Sequence, residues 1–147
     1  MMELEEHVDI AVPVGIVFDY TTDYRNNADW QTGIIKIEPI SDVIHGPGAS
    51  FRCVNLFLGM RMETEVVVEA YQPDKLYVYR AANGHVKGRN TFSYESSGGL
   101  TRFTTQGKIS LAMMGIANAF VRPVVRNQVK TDLKRLKRIL ETTHSER

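Results

Sequence analysis

Cysteine is nearly absent from this chain: Cys53 stands alone among 147 residues. No internal disulfide and no cysteine-based metal cluster can form. The four histidines, His7, His45, His85 and His144, never fall within three to five positions of one another, so zinc-ligand spacing is missing as well. There is no Gly-x-Ser-x-Gly, no phosphate-binding glycine loop and no dinucleotide fingerprint. No cofactor is therefore expected. Charge of one sign is not in excess: 18 Lys and Arg face 17 Asp and Glu, a net +1. No global field draws the chain to nucleic acid, and DNA is not an expected partner. Long hydrophobic runs are missing too. The most apolar stretch, 111–125, is interrupted by Asn118, Arg122 and Pro123, too short and too polar to span a bilayer. The first residues carry Glu3, Glu5 and Glu6 where a signal peptide would be basic. A cytoplasmic protein is the expectation, and a lone thiol fits a reducing compartment. Without repeats, low-complexity tracts or Pro/Gly/Ser linkers, residues 1–147 read as one domain.

What is present is ordinary globular material, 43% hydrophobic and 24% charged. Residues 3–11 alternate as a strand, with Val8, Ile10 and Val12 on one side. Pro13 suits the start of a helix over 14–20, and Asp23 the N-cap of a second short helix near 24–28. Strand signals follow at 34–41, 49–57, 60–71, 75–82, 86–96 and 100–110. Residues 44–48 and 73–74 read as turns, and Asn83-Gly84 and Ser97-Gly98-Gly99 as hairpins. Along 60–71, Met60, Met62, Thr64, Val66, Val68 and Ala70 share one face; Arg61, Glu63, Glu65 and Glu69 share the other. Those glutamates read as solvated charges rather than an acid/base pair.

The last segment is helical, with Val125, Val129, Leu133, Leu136 and Leu140 at three- and four-residue steps. Residues 122–147 hold eight basic side chains against three acidic ones. Such a segment is either a solvated helix face or a surface that meets RNA, a ribosome or an acidic partner. Hairpins imply an antiparallel sheet. Its apolar face needs a cover, and the C-terminal helix is the long amphipathic element available. The fold class is α+β: a curved antiparallel sheet of about seven strands, two short helices after the first, and a long C-terminal helix over the concave face. That arrangement leaves a cavity where the lining is small or flexible.

The order of elements carries a resemblance. Val12-Pro13, Val17-Phe18-Asp19-Tyr20, Asp23 and Trp30 come first; Gly46-Pro47-Gly48, Phe51, Pro73 and Leu76 follow. The late set is Phe92-Ser93-Tyr94-Glu95, Gly98-Gly99-Leu100-Thr101-Arg102-Phe103, Asp132-Leu133, Leu136-Lys137 and Leu140-Glu141. In this order and spacing the chain resembles the START-like helix-grip superfamily, in its polyketide cyclase/dehydrase and lipid-transport branch. The resemblance implies a hydrophobic ligand cavity under the long helix. Members bind lipids, polyketides, isoprenoids, sterols or hormones, and a minority catalyse cyclisation or dehydration. Some partner with ribosomes or respiratory quinones. With no universal catalytic motif in that group, no catalytic residue carries over.

Candidate ligand contacts come from polar or soft groups on inward faces. Met60, Met62 and Thr64 share one strand face, Asn55 alternates with Phe51 and Phe57, and Asn90 with Phe92 and Tyr94. Phe103 and Thr105 face the same way on the last strand, and Trp30 plugs the cavity or packs the core. Tyr94 has a ring and a hydroxyl suited to a polyphenol or quinone. Asn118 and Arg122 point at the sheet if the helix phase holds through Pro123; otherwise Arg122 reaches the rim or solvent. Arg80 shares parity with Leu76 and Val78 and is open to either face. Cys53, between Phe51 and Phe57, reads as a buried inert thiol. Ile116, Phe120 and Val124 form a second stripe that would serve a homodimer or a peripheral membrane contact. Alternatively 111–121 is a lid hinged at Gly115 and Pro123. The expected function is binding or carrying a small hydrophobic molecule. A polyketide cyclase/aromatase or dehydratase that stabilises an enolate through Tyr94 or Arg122 is the first alternative. A protein- or ribosome-interaction module is the second.

Overall fold

The alternating stretches become strands in the computed structural model, which describes residues 2–57, 59–83, 86–111 and 118–144, without the side chains of residues 57, 111 and 118–120. The strands are β1 (Met2–Ile10), β2 (Ile34–Pro39), β3 (Ser50–Phe57), β4 (Met60–Gln72), β5 (Leu76–Ala82), β6 (Val86–Ser97) and β7 (Leu100–Leu111). They form one antiparallel sheet in the order β1-β7-β6-β5-β4-β3-β2. Consecutive hairpins build the meander from β2 to β7, and β1 closes its far edge. At the β6–β7 turn, Gly98 and Gly99 sit at φ 57° and 84°. A two-residue hairpin of this type I′ form needs both positions left-handed, which glycine adopts without strain.

Between β1 and β2 lie α1 (Val14–Thr21), a 3₁₀ turn (Tyr24–Asn26) and α2 (Asn27–Trp30). Pro13 stands at the N-cap of α1, and Asp23 caps the turn by accepting from the Arg25 amide at 3.0 Å. The long helix α3 (Asn118–Thr143) contains Pro123 in its second turn. There the missing N–H removes a single intrahelical bond. The lid expected over 111–121 lies mostly outside the described residues, as does the turn at Gly84 and His85. Among the described residues no helix is long and apolar enough to cross a membrane.

Two irregularities decide which side chains face inward. The register of β4 on β5 shifts between Val68 and Ala70. This bulge inverts the alternation, so Tyr71 opposite Tyr77, rather than Ala70, continues the inner face. On β5 the inner set is Tyr77, Tyr79 and Ala81. Arg80 therefore points outward, where it donates to Glu69 at 2.8 Å beside Arg89. The core gathers Phe18, Trp30, Phe51, Phe92, Tyr94 and Phe103 beneath Leu133, Leu136 and Leu140.

Polar contacts seat α3. Near its C-terminal end, Glu141 accepts from the Ala11 amide at 2.8 Å, and Lys137 donates to the Asp9 carbonyl at 2.7 Å. In its middle, Asp132 accepts from both the amide and the hydroxyl of Thr32. Toward its start, Val121 and Val125 pack on Met2 and Leu4 of β1.

Candidate functional site: a cavity beneath the long helix

A cavity of about 310 Å³ lies between α3 and the inner face of the sheet. Its floor is made where the strands carry small side chains: Ala81 on β5, Gly88 on β6, Thr105 and Gly107 on β7. Gly107 stands opposite Asn90, and a Cβ there would meet only the Asn90 Oδ1, at 3.8 Å. The β3–β4 side adds Cys53, Asn55, Met62, Thr64 and Val66, and the roof is Val125, Gln128, Val129 and Asp132 of α3. At Gly33 an added Cβ would lie 2.7 Å from the Gln128 amide nitrogen and 3.2 Å from the Leu56 carbonyl. Glycine is what lets this loop come so close to both helix and strand.

The polar groups of the wall are mostly paired with one another. Thr105 Oγ1 donates to Asn90 Oδ1 at 3.1 Å, and Asn90 Nδ2 donates to Tyr79 Oη at 2.9 Å. Thr64 Oγ1 donates to Asn55 Oδ1 at 3.4 Å. Burial raises the Tyr79 hydroxyl above the ordinary phenol range, against the amides of Asn90 and Gln31. Burial also raises Asp132, although the Thr32 donors pull it down. Asp132 Oδ1 takes the Thr32 amide at 3.0 Å and the hydroxyl at 2.8 Å. Asn27 also lines the wall, but its Oδ1 is sealed off from the open space and has no hydrogen-bond partner. The Cys53 thiol is pushed up to about 11 by burial, which makes it inert at neutral pH.

Of the residues singled out from the sequence, Asn55, Met62, Thr64, Asn90, Phe92 and Thr105 line this cavity. Trp30, Tyr94 and Phe103 lie in the packed core beside it. Trp30 packs against Phe92 and Phe103, both with ring centroids at 5.9 Å. Tyr94 spends its hydroxyl on Thr21 at 2.6 Å, and Thr21 donates onward to the Val17 carbonyl. Met60 is 52% exposed at the start of β4. It keeps the parity of Met62 but stands outside the cavity lining. Arg122 is exposed. The buried face of α3 rotates along its length, from Val121 and Val125 over β1 to Leu133 and Leu140 over the core. That rotation carries Arg122 to the solvent side, where a guanidinium keeps its hydration. The side chain of Asn118 is outside the described residues, as are Ile116 and the side chain of Phe120; Val124 is exposed. Tyr79, Asp132 and Gln31 are wall residues that the sequence pattern did not single out.

A curved antiparallel sheet closed by one long helix over a cavity is the helix-grip architecture. The chain belongs to the family described as polyketide cyclase / dehydrase and lipid transport, whose model matches residues 1–142. No curated protein matches it by sequence. Among solved structures, it is similar to a START superfamily protein from Mycobacterium smegmatis, with a TM-score of 0.83 at 12% identity over 96% of this chain and 98% of that one. It is also similar to the Zhui aromatase/cyclase from a Streptomyces species, at 0.80 and 16% identity over 95% and 93% of the two chains. A third similar structure is the two-domain aromatase/cyclase StfQ of the steffimycin biosynthetic pathway, at 0.77 and 12% identity over 97% of this chain and 52% of that one. At these identities the likeness establishes the fold, and function has to be argued from the site.

Proposed function

We propose that this protein binds and carries a small hydrophobic molecule of lipid, polyketide or isoprenoid type in the cavity under α3. The observation that carries this reading is the 310 Å³ hollow itself, walled by apolar side chains with a few convergent polar groups. Ligand sites have that make-up, whereas packed cores leave few voids larger than a water. Apolar burial at roughly 25 cal/mol per Å² supplies the affinity, and the Tyr79–Asn90–Thr105 chain orients the ligand. Native mass spectrometry of the protein purified without denaturant tests this. The expected result is a stoichiometric adduct of an apolar small molecule, or uptake of one when it is added. Failure to bind any member of a panel of lipids, polyphenols and isoprenoids contradicts the reading.

A second reading is an aromatase/cyclase. It is favoured by Asp132 and Tyr79, two protonatable groups in the wall of one cavity. The enolate-stabilising role falls to these two rather than to Tyr94 or Arg122, which lie in the core and in solvent. Turnover of a poly-β-ketone surrogate, abolished in a folded Asp132→Asn variant, is what this reading expects. No turnover in the unmodified protein removes it.

A further inference from the structure

The wall of the cavity has its hydrogen-bonding groups out of balance. Several of its donors are spent inside the wall, Thr105 on Asn90, Asn90 on Tyr79 and Thr64 on Asn55, while Tyr79 keeps its hydroxyl proton. A charged acceptor is left over. Asp132 is 9% exposed, and both Thr32 bonds fall on its Oδ1. Among the described residues nothing donates to its Oδ2. That oxygen is not sealed off, and in a site this buried a ligand donor replaces the hydration it lacks. Among the described residues positive charge is also missing from the wall. Arg89 is the basic residue that contributes to it, and its guanidinium is bonded to Glu69 at 2.8 and 3.4 Å on the outer face. Arg126 is held by Glu6 at 3.5 Å beside the edge strand. Arg135, one turn further along α3, is the cation whose field reaches Asp132, and it stands outside the lining.

We propose that the cavity selects uncharged ligands bearing a hydroxyl or phenol, which donates to Asp132, and that it rejects carboxylates such as fatty acids. This rests on the reading of the cavity as a ligand site and names the chemistry that site accepts. A carboxylate brought into the cavity loses its hydration, finds no cation among the described residues, and confronts Asp132. A hydroxyl adds the missing donor, and its oxygen is free to accept from Tyr79. Rejection of the wrong headgroup is then built from an unmatched, charged acceptor rather than from shape.

The test uses two aromatic probes of the same ring system, 2-naphthol and 2-naphthoate, titrated at neutral pH and followed by calorimetry. The phenol is expected to bind at least about tenfold more tightly than the carboxylate. Asp132→Asn keeps an acceptor for Thr32 and removes the charge, so the preference is expected to shrink several-fold. Ala81→Phe, which fills the floor, is expected to abolish binding of both probes. Equal or inverted affinities in the unmodified protein overturn the selectivity and leave the ligand-cavity reading standing. Binding of neither probe overturns both, because the hollow is large enough for either. An unchanged preference in Asp132→Asn removes Asp132 as its source. Should that variant fail to fold, the ratio in the unmodified protein decides.

Discussion

The two ends of the space beneath α3 are built by the same strands and differ in what those strands carry. At one end β6 supplies Phe92 and Tyr94, β7 supplies Phe103, β5 supplies Tyr77, and α3 covers them with Leu133, Leu136 and Leu140. Ring contacts run through this end without a break: Phe92 to Phe103 at 5.0 Å, Tyr94 to Phe103 at 5.3 Å, Phe18 to Tyr94 at 5.1 Å. At the other end the same strands carry Gly88, Asn90, Thr105, Gly107 and Ala81, and the helix presents Val125, Gln128 and Val129. Spacing between helix and sheet is set by the bulky end, which props α3 away from the sheet. The small side chains beyond it cannot reach across, so the space stays open. A hollow of this kind follows from where along the strands the volume is placed, with no change of backbone plan.

The comparison breaks most visibly through stability. Phe103 is fully buried, and Phe103→Ala is expected to cost about 3–5 kcal/mol in urea unfolding. Val66→Ala, whose side chain already borders the void, is expected to cost about 1 kcal/mol or less, because no well-packed neighbour is abandoned. Equal costs at the two sites would contradict the division into a packed and an open end. Next in size is the reverse substitution at the open end. Ala81→Phe is expected to lower ligand affinity about tenfold or more while moving Tm by only a few degrees, since the ring enters empty space. A collapse of Tm instead would mean that this end is already filled.

Tyr94→Phe removes a hydroxyl bonded at 2.6 Å within the packed end. The expected loss is about 1 kcal/mol in thermal or urea unfolding. Ligand affinity is expected to stay unchanged, because Tyr94 is not part of the cavity lining and its hydroxyl is spent on Thr21. The smallest effect concerns Cys53, a wall residue of the open end whose thiol is pushed up to about 11 by burial. Its alkylation rate is expected to rise about tenfold per pH unit toward that value, and to fall when a ligand is present. The sign for stability follows from the raised value. The neutral buried thiol contributes fully below the unfolded thiol's pKa, about 8.5, and that contribution is lost as pH rises toward 11. A labelling rate indifferent to ligand would place Cys53 outside the occupied space.

Much of this was legible in the sequence, and the rest failed for identifiable reasons. Alternation located all seven strands, and it put Asn55, Met62, Thr64, Asn90, Phe92 and Thr105 on the face that lines the cavity. It could not orient β5, because Leu76, Val78, Tyr77, Tyr79 and Ala81 make both of its faces apolar. The bulge near Glu69 hid the consequence for Ala70 and Tyr71. Tyr79 was therefore missed and Arg80 left undecided. Asp132 was missed because it borders Leu133 on the helix stripe, where a carboxylate reads as a solvated edge. Its burial depends on Thr32, one hundred residues earlier, which no local pattern reveals. Arg122 followed an ideal 100° step, whereas the buried face of α3 rotates as it passes from β1 to the core.

A crystal structure grown with 2-naphthol shows whether the space beneath α3 holds a ligand. The ring system should sit between Thr105, Asn90 and the Val125–Asp132 stretch of α3, its hydroxyl against Asp132. Electron density for α3 settled onto the sheet, with side chains occupying that volume and the probe only at the surface, would contradict it.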